Sequence, residues 1–321
     1  MKILITGGNG FIGNKLVSKL KKDTEHEIWV MSSRIEDADK KVVKADLLDR
    51  SRLNDIINGY DVVYHLAATG DETLPINELY KINVDGTWNV FDACLENSVK
   101  KVIYTSSVGI YGALEKLPGS EESPLNAVSP YERSKKEIEY YIPKYRERGL
   151  SIINIRPVIV YGPGSPMWNK IISGVEGGKI AVGNGTNKWP LVYISDIVQA
   201  LVLALDNKNV INENIIVADN KAYRYKEIVR EIQNNLGIKK VVNPYIPVSL
   251  LYILSFVNLT ANKLLGVPYK VTKDKIKRFV RNREYSISKA RRLLDYSPAY
   301  DLEKGMKITV DSYRSAGATK K

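Results

Sequence analysis

Short apolar runs alternate with amphipathic stretches along the first 155 residues. The runs predict buried strands at Lys2–Thr6, Ile28–Met31, Val42–Val43, Asp61–Leu66, Lys101–Ser106 and Ser151–Ile155. Apolar residues at helical spacing between them predict helices at Phe11–Leu20, Ser51–Asn58 (with Ser51 as N-cap), Val84–Asn97 and Pro130–Arg148. Strands that alternate with helices indicate an α/β fold with a doubly wound parallel sheet.

The alternation breaks after Arg156-Pro157. Residues 161–190 are rich in glycine and proline, which predicts loops over the carboxyl ends of the strands. Ile194–Leu205 predicts a helix and Asn214–Val217 a strand, and beyond about residue 220 the pattern is helical. We therefore predict a core at 1–160 and a smaller, mainly helical C-terminal substrate lobe at 161–321, with 191–220 returning to the core sheet.

Ile246–Leu265 is mostly apolar but is interrupted by Asn258, Thr260, Asn262 and Lys263. It falls short of the ~20 predominantly apolar residues that a membrane span needs. We predict no transmembrane segment and a buried or substrate-lining helix here. Peripheral membrane contact, helped by basic neighbours, is the alternative.

Charge is unevenly distributed. The net charge is +12, yet residues 221–321 carry 22 Lys and Arg against 8 Asp and Glu. Such a basic half could attract an anionic substrate, an acidic membrane or nucleic acid, but a solvated lysine-rich face is the preferred interpretation. No nucleic-acid motif accompanies the charge, so we expect a small-molecule substrate and no nucleic-acid partner.

Cysteine and histidine are scarce, with one cysteine and two histidines in the chain. A zinc site built from those residues is therefore not expected, and no metal is predicted. The single Cys94 and the absence of a charged leader before Lys2 fit a reducing, cytoplasmic location.

Glycines follow the first predicted strand directly, in the run Thr6-Gly-Gly-Asn-Gly-Phe-Ile-Gly13. Gly7, Gly10 and Gly13 can supply a tight turn, close approach to a pyrophosphate and close packing of helix on strand. The helix that follows offers free N–H groups to phosphates. A purely structural turn is the alternative, but this position in the first strand–turn–helix predicts a Rossmann-type dinucleotide site.

The end of the second strand bears on which dinucleotide is bound. An acidic residue there would hold the 2′-hydroxyl of NAD, whereas this chain has Ser32, Ser33 and Arg34. Two hydroxyls and a guanidinium suit the 2′-phosphate of NADP. NADP is therefore preferred over NAD, although Glu36 and Asp37 follow closely.

Tyr131 and Lys135 stand four residues apart and share one face of a predicted helix. A lysine beside a phenol can favour the phenolate and lower the pKa of the tyrosine from about 10. The pair can then exchange a proton with an alcohol or a ketone. A solvated surface pair is the alternative.

With these motifs placed, the chain resembles the extended short-chain dehydrogenase/reductase family, also called the NAD-dependent epimerase/dehydratase superfamily. The resemblance runs nearly end to end and rests on Thr6–Gly13, Asp46-Leu47, His65–Ala68, Asn83–Thr87, Tyr104–Gly112, Tyr131–Lys135, Arg156-Pro157, Tyr161–Pro163 and Tyr193–Asp196.

The resemblance implies catalytic roles for Ser107, Tyr131 and Lys135. Tyr131 would exchange the proton on the substrate oxygen, Lys135 would lower its pKa and bind the nicotinamide ribose, and Ser107 would orient the same oxygen. The cofactor contacts that it implies are Gly7, Gly10, Phe11, Ile12, Gly13, Ser32, Ser33, Arg34, Asp46, Leu47, Leu66, Ala67, Ala68, Pro157 and Val158. His65, Asn83 and Asp196 are expected to have structural roles.

Three functions remain open at this stage. The preferred one is an NAD(P)-dependent oxidoreductase that interconverts a secondary alcohol and a ketone. Val158, Trp189 and a C-terminal pattern similar to the 3β-hydroxysteroid dehydrogenase and dihydroflavonol reductase branch favour it. The alternatives are a UDP- or dTDP-hexose 4-epimerase, dehydratase or reductase, and a non-catalytic NADP-binding regulator. The family resemblance also implies a homodimer through the helices at 84–97 and 130–148, where Trp88 and Tyr140 or Tyr141 could contribute apolar area.

Overall fold

The computed structural model describes residues 1–178, 181–182, 184–238, 245–265 and 273–318. Its strands are β1 (Lys2–Thr6), β2 (Glu27–Ser32), β3 (Val42–Lys44), β4 (Val62–His65), β5 (Lys101–Thr105), β6 (Ile152–Pro157), β7 (Ile159–Tyr161), β8 (Ala181–Val182), β9 (Lys188–Tyr193), β10 (Asn214–Val217), β11 (Ala222–Arg224) and β12 (Tyr245–Ile246).

The main sheet has seven strands in the order β10-β6-β5-β4-β1-β2-β3. Every pairing in it is parallel. The predicted doubly wound α/β sheet is therefore confirmed. The strand order reverses beside β1, and at such a crossing the carboxyl ends of parallel strands leave a crevice for a dinucleotide.

The helices are α1 (Phe11–Asp23), α2 (Arg50–Ile57), α3 (Ile76–Tyr80), α4 (Gly86–Glu96), α5 (Pro130–Glu147), α6 (Pro166–Glu176), α7 (Ile194–Asp206), α8 (Tyr225–Leu236), α9 (Val248–Leu265), α10 (Lys273–Val280), α11 (Ser288–Leu294) and α12 (Leu302–Ala318). A π-helical segment, Lys81–Asp85, joins α3 to α4.

Two hydrophobic cores lie on the two faces of the main sheet. Ile3 and Ile5 of β1 belong to the core that includes α1 and α7, whereas Leu4 belongs to the core formed with α4 and α5. Consecutive residues on a strand point to opposite faces, so a run of buried apolar residues is what a sheet covered on both sides requires.

The segment 161–190 differs from the predicted loops, because it contains α6 and part of a second sheet, β11-β9-β7. Helix α2 begins at Arg50 with Asp49 as its N-cap, so the predicted Ser51 cap is wrong. The Asp49 carboxylate accepts from the Arg52 N–H at 3.0 Å, which leaves Ser51 inside the first turn. Strand β10 lies at the edge of the main sheet, and the boundary at 160/161 stays a prediction.

Helix α9 is only partly buried, whereas the sequence predicts a buried or substrate-lining helix. Leu251 and Ser255 are buried, but Ile253 and Val257 are 60% and 57% exposed. Among the described residues, no helix is both long and apolar enough to cross a membrane. Residues 243–244 and 266–272, which flank β12 and α9, lie outside the described residues.

Candidate active site

The glycine turn between β1 and α1 is closely packed against backbone. Gly7 has φ +70°, and a Cβ there would lie 2.7 Å from Ala67 N. A Cβ on Gly13 would lie 2.1 Å from Gly7 O. Larger residues at either position would therefore collide with main chain. Gly10 caps α1 without a side-chain acceptor, so N–H groups of the first turn remain for an anion.

A cavity of about 550 Å³ opens beside this turn at the carboxyl ends of β1, β2 and β3. Predicted cofactor residues that line it are Gly7, Gly10, Ser32, Ser33, Arg34, Asp46, Leu47 and Ala67. The cavity is also lined by residues that sequence reasoning missed, namely Asn9, Met31, Ile35, Ala45, Leu48 and Ile82. Met31 and Ala45 could have been found, because each adjoins a strand end at the same sheet edge.

Ser32 and Arg34 have different roles at the rim of this cavity. The Ser32 hydroxyl accepts from the backbone N–H groups of Arg34, at 3.2 Å, and Ile35, at 3.4 Å. That contact fixes the turn after β2. Ser33 and Arg34 are exposed there, where they can reach a ligand in the cavity.

The remaining predicted cofactor residues do not line this cavity. Phe11 and Ile12 pack partly against the core at the start of α1, as Leu66 does after β4. Ala68 lies in the loop beyond Leu66, and Pro157 ends β6. Val158 is buried, and its N–H donates to Val217 O at 3.1 Å.

Helix α5 holds Tyr131 and Lys135 one turn apart. Its start is fixed by a capping box, in which the Ser129 hydroxyl accepts from Glu132 N and the Glu132 carboxylate accepts from Ser129 N. Pro130 occupies the first turn, where its missing N–H costs nothing. Tyr131 thus lies in the capped first turn of the helix.

Lys135 is buried beneath this turn and contacts strand β5. Its Nζ donates to the Tyr104 hydroxyl at 3.1 Å and to Thr105 O at 3.0 Å. Burial lowers the pKa of Lys135 to about 7, and the nearby Glu139 partly opposes that shift. Near neutral pH the side chain can therefore change its charge.

The pKa of Tyr131 differs from the expectation that Lys135 lowers it. Burial raises the pKa of Tyr131 to about 12, the charge of Glu72 adds to the rise, and a hydrogen bond with Ser107 opposes it. The physical reason is desolvation, because burial disfavours the charged form of each group, the phenolate of Tyr131 and the ammonium of Lys135.

Ser107 follows β5 and caps the short 3₁₀ turn Val108–Tyr111, accepting from Gly109 N at 3.0 Å. Its oxygen also interacts with Tyr131. The structure thus brings Ser107 and Tyr131 into contact, with Lys135 lying one turn farther along α5.

A buried ion pair lies behind the three residues. Arg156 Nε donates to both carboxylate oxygens of Glu139, at 3.1 and 3.0 Å, and the two side chains are 5% and 3% exposed. Ser106 also donates to Glu139, and Arg156 Nη1 donates to the Tyr111 hydroxyl at 2.6 Å. This network connects α5 to β6 and to the turn after Ser107.

A second buried chain connects the glycine turn to α5. His65 is hydrogen-bonded to Thr6 through Nδ1, at 2.7 Å, and to Thr87 through Nε2, at 2.9 Å. Asn83, in the π-helical segment, donates to Ser134 Oγ at 3.1 Å and accepts from Thr69 N at 2.8 Å. Burial lowers the pKa of His65 to about 3, so it is neutral. His65 and Asn83 thus order the strand end and the adjoining loop.

Asp196 lies in the first turn of α7. Helix α7 has no side-chain cap at its start. The Asp196 carboxylate instead accepts from the backbone N–H groups of Ala299, at 3.0 Å, and Tyr300, at 3.2 Å. It therefore attaches the C-terminal segment to the core.

Arg278 and Arg281 of the C-terminal lobe contact the start of α5, Arg283 contacts Trp189, and sequence reasoning missed all three. Arg278 donates to Glu72 at 2.7 Å and to Ser129 Oγ at 3.3 Å. Arg281 lies 3.6 Å from Glu132, and Arg283 lies over the Trp189 ring. Arg283 Nε is buried and has no hydrogen-bond partner among the described residues. No spacing rule in the sequence indicates this convergence.

Comparison with known proteins gives a consistent result. The model of the NAD dependent epimerase/dehydratase family matches residues 3–218. The chain is 30% identical to 3beta-hydroxysteroid-dehydrogenase/decarboxylase isoform 1 of Arabidopsis thaliana, over 97% of this chain and 79% of that protein. It is 28% identical to N-acetyl-alpha-D-glucosaminyl-diphospho-ditrans,octacis-undecaprenol 4-epimerase of Escherichia coli O157:H7, over 96% and 94% of the two chains.

Among solved structures, UDP-glucose 4-epimerase of Thermotoga maritima in complex with UDP-glucose is similar in fold, with a TM-score of 0.81 at 24% identity. The similarity covers 98% of this chain and 99% of that one. Fold, sequence and motifs agree, and the predicted resemblance is confirmed. The chain belongs to the NAD dependent epimerase/dehydratase family of extended short-chain dehydrogenase/reductases and is an enzyme of that family.

Proposed function

We propose that the protein interconverts a secondary alcohol and a ketone by hydride transfer, with Tyr131 as the general acid and base. The observation that carries the proposal is the contact of Tyr131 with Ser107 above the buried Lys135. NAD(P), when bound in the cleft, would be the hydride donor or acceptor. Gly7, Gly10 and Gly13 fit a pyrophosphate. Gly7 and Gly10 line the cavity, and Cβ atoms on Gly7 and Gly13 would strike backbone.

Tyr131 is protonated at neutral pH, because its pKa is raised to about 12. It is therefore ready to donate a proton to a carbonyl oxygen, which is the direction of reduction. Ser107 holds the same oxygen, and Lys135 in its charged form steadies the phenolate that is left.

We infer that NADP is preferred over NAD. Arg34 and Ser33 line the cavity at the end of β2, where a 2′-phosphate would lie, and no carboxylate follows β2 directly. Asp46, Leu47 and Ala67 would contact the adenosine half from the other sides of the same cavity.

A nucleotide-sugar epimerase, dehydratase or reductase is the second candidate, and the arginines beside α5 favour it. Arg278, Arg281 and Arg283 bring positive charge to the substrate side, and the Arg283 Nε lacks a partner among described residues. A diphosphate could satisfy the Arg283 Nε. The Escherichia coli relative acts on a diphosphate-linked sugar, as its name states.

Replacing Tyr131 with phenylalanine tests the proposed chemistry. We expect turnover to fall by about 10²- to 10⁴-fold, since the proton donor is lost, while the cofactor dissociation constant stays unchanged. Tyr140→Phe, on the same helix but 70% exposed, is the matched control and should retain full activity. Wild-type turnover by the Tyr131→Phe enzyme would contradict the assignment.

The two candidates differ in how they use the cofactor. A reductase oxidises added NADPH only when a carbonyl substrate is present, and exchanges its cofactor freely. An epimerase interconverts a UDP-hexose without added cofactor and copurifies with tightly bound NAD(H). Mass spectrometry of ligands released from purified protein separates these outcomes, and binding without any turnover would favour a regulator.

We also infer a homodimer that forms through α4 and α5. Trp88 packs edge-on against Tyr141, with ring centroids 5.0 Å apart, and Tyr140 lies exposed beside them. Light scattering of wild type and Tyr140→Asp measures this, and a monomeric wild type would refute it. The buried, unpaired Cys94 supports a cytoplasmic location.

A further inference from the structure

Helix α9 presents one row of large apolar side chains to solvent. Leu250, Ile253, Leu254 and Val257 are 43%, 60%, 45% and 57% exposed. Their spacing of three, four and seven residues places them on a single face of the helix. Leu251 is buried, so another face of the same helix packs onto the lobe. The helix is thus oriented with an apolar row outward.

Such a row is unusual for a surface helix. An ordinary amphipathic helix turns its apolar stripe to the core and its charged face to water. A contiguous exposed apolar patch marks a site of interaction with a protein or a membrane. The chemistry around the row then decides between these two kinds of partner.

The sequence around the row is rich in lysine, with Asp274 of α10 as the first acidic residue after it. Residues 232–273 contain no Asp or Glu, and their charged residues are Lys239, Lys240, Lys263, Lys270 and Lys273. Helix α10 packs against α9. It exposes Lys273 and Lys277, one turn apart.

Lysine is depleted in protein–protein interfaces, which argues against a second copy of the chain as the partner. An apolar face bordered by lysines is instead typical of helices that lie in the surface of an anionic bilayer. The helix is not a membrane span, since no described helix is long and apolar enough.

We propose that α9 docks on an anionic membrane surface, with Leu250, Ile253, Leu254 and Val257 inserted among the lipid chains and the lysines of α10 against the headgroups. Helix α10 also carries Arg278, which donates to Ser129 at the start of the catalytic helix α5. The docking face and the catalytic helix are therefore linked through one short helix, which brings the active site close to the bilayer.

Vesicle binding tests the proposal without reference to turnover. The full-length protein is mixed with sedimentable vesicles of phosphatidylcholine, with or without phosphatidylglycerol, and the bound fraction is measured. We expect binding only when phosphatidylglycerol is present. Ile253→Gln/Val257→Gln should lower the partition coefficient by at least about tenfold, because both side chains lose their apolar insertion.

Two further variants separate charge from apolar contact. Lys273→Gln/Lys277→Gln should weaken binding by about fivefold for each lysine removed. Ile211→Gln replaces an exposed isoleucine, 37% exposed and far from α9 in sequence, and should bind as wild type does. Circular dichroism and thermal unfolding verify that each variant is folded.

Several outcomes would overturn the proposal. They are an absence of wild-type binding, equal binding to neutral and anionic vesicles, and equal binding by the Ile253→Gln/Val257→Gln variant. Light scattering supplies another test. A soluble wild-type dimer that becomes monomeric in that variant would show that a second copy covers the row. None of these results depends on whether the Tyr131 chemistry is correct.

Discussion

The Glu139–Arg156 pair offers the sharpest test of how the site is supported. Glu139→Gln keeps the shape of the side chain but removes its charge. It leaves the Arg156 guanidinium buried, with its carboxylate partner replaced by an amide. Breaking a buried pair from one side costs about 3–5 kcal/mol. A domain has about 5–15 kcal/mol of stability in total, so the loss should be large.

The measurement is the free energy of unfolding from urea titration at pH 7. We expect Glu139→Gln to lose about 3–5 kcal/mol, and Glu139→Met/Arg156→Met to lose much less, since no charge is then left buried. The matched control is Asp311→Asn, which breaks the exposed Lys307–Asp311 pair and should cost about 0–1 kcal/mol.

A Glu139→Gln variant whose free energy of unfolding falls by less than about 1 kcal/mol would refute this reasoning, because burying a guanidinium without its carboxylate partner costs more than that. The substitution has a second readout. Glu139 raises the pKa of Lys135 against the effect of burial, so its loss should lower that pKa further. The titration of Lys135, followed by NMR of a sample labelled at lysine side chains, should therefore move to lower pH.

Three further predictions concern the lysine, the glycine turn and the choice of cofactor. Because burial lowers the pKa of Lys135 to about 7, the unfolded chain binds more protons than the native one between that pH and about 10.5. Stability should therefore rise with pH across this window, by up to about 1.4 kcal/mol per unit, and Lys135→Met should abolish that component in urea titrations. Gly13→Ala should lower the free energy of unfolding by at least about 1–3 kcal/mol, measured by urea titration, and weaken cofactor binding, measured by titration calorimetry. Gly70→Ala, with open space around its Cβ position, should change neither quantity. Arg34→Ala should weaken NADP binding about tenfold or more, as expected for a lost charge-assisted contact of 1.5–3 kcal/mol, and leave NAD binding unchanged; equal losses for both would contradict a 2′-phosphate contact.

The sequence was most informative where local pattern and tertiary environment agree. The alternation of strands and helices predicted the main sheet, and the glycines after β1 predicted a turn that the structure packs against Ala67. The predicted bounds of strand β10 agree with those observed, because a four-residue run flanked by turn signals leaves few other places for the strand to begin and end.

Other features could not be predicted, because they depend on long-range packing. Arg278 meets Glu72 across 206 positions of sequence, so no local rule indicates the contact. Glu139 looks like an ordinary helix-surface residue until β6 places Arg156 against it. Helix α9 is predicted from its composition to be buried or to line the substrate site, yet composition does not say which face meets the lobe. The pKa of Tyr131 depends on desolvation, which spacing cannot report.

The end of strand β5 and the two serines that follow it position the residues of the active site. Four consecutive residues each contact one residue of α5. The Tyr104 hydroxyl and the Thr105 carbonyl accept from Lys135, Ser106 donates to Glu139, and Ser107 contacts Tyr131. A slip of one residue would exchange every one of these duties, because alternate residues face opposite sides. Insertions and deletions within 101–107 should therefore disrupt all four contacts together. A redesign for a new substrate should leave the length of this segment unchanged.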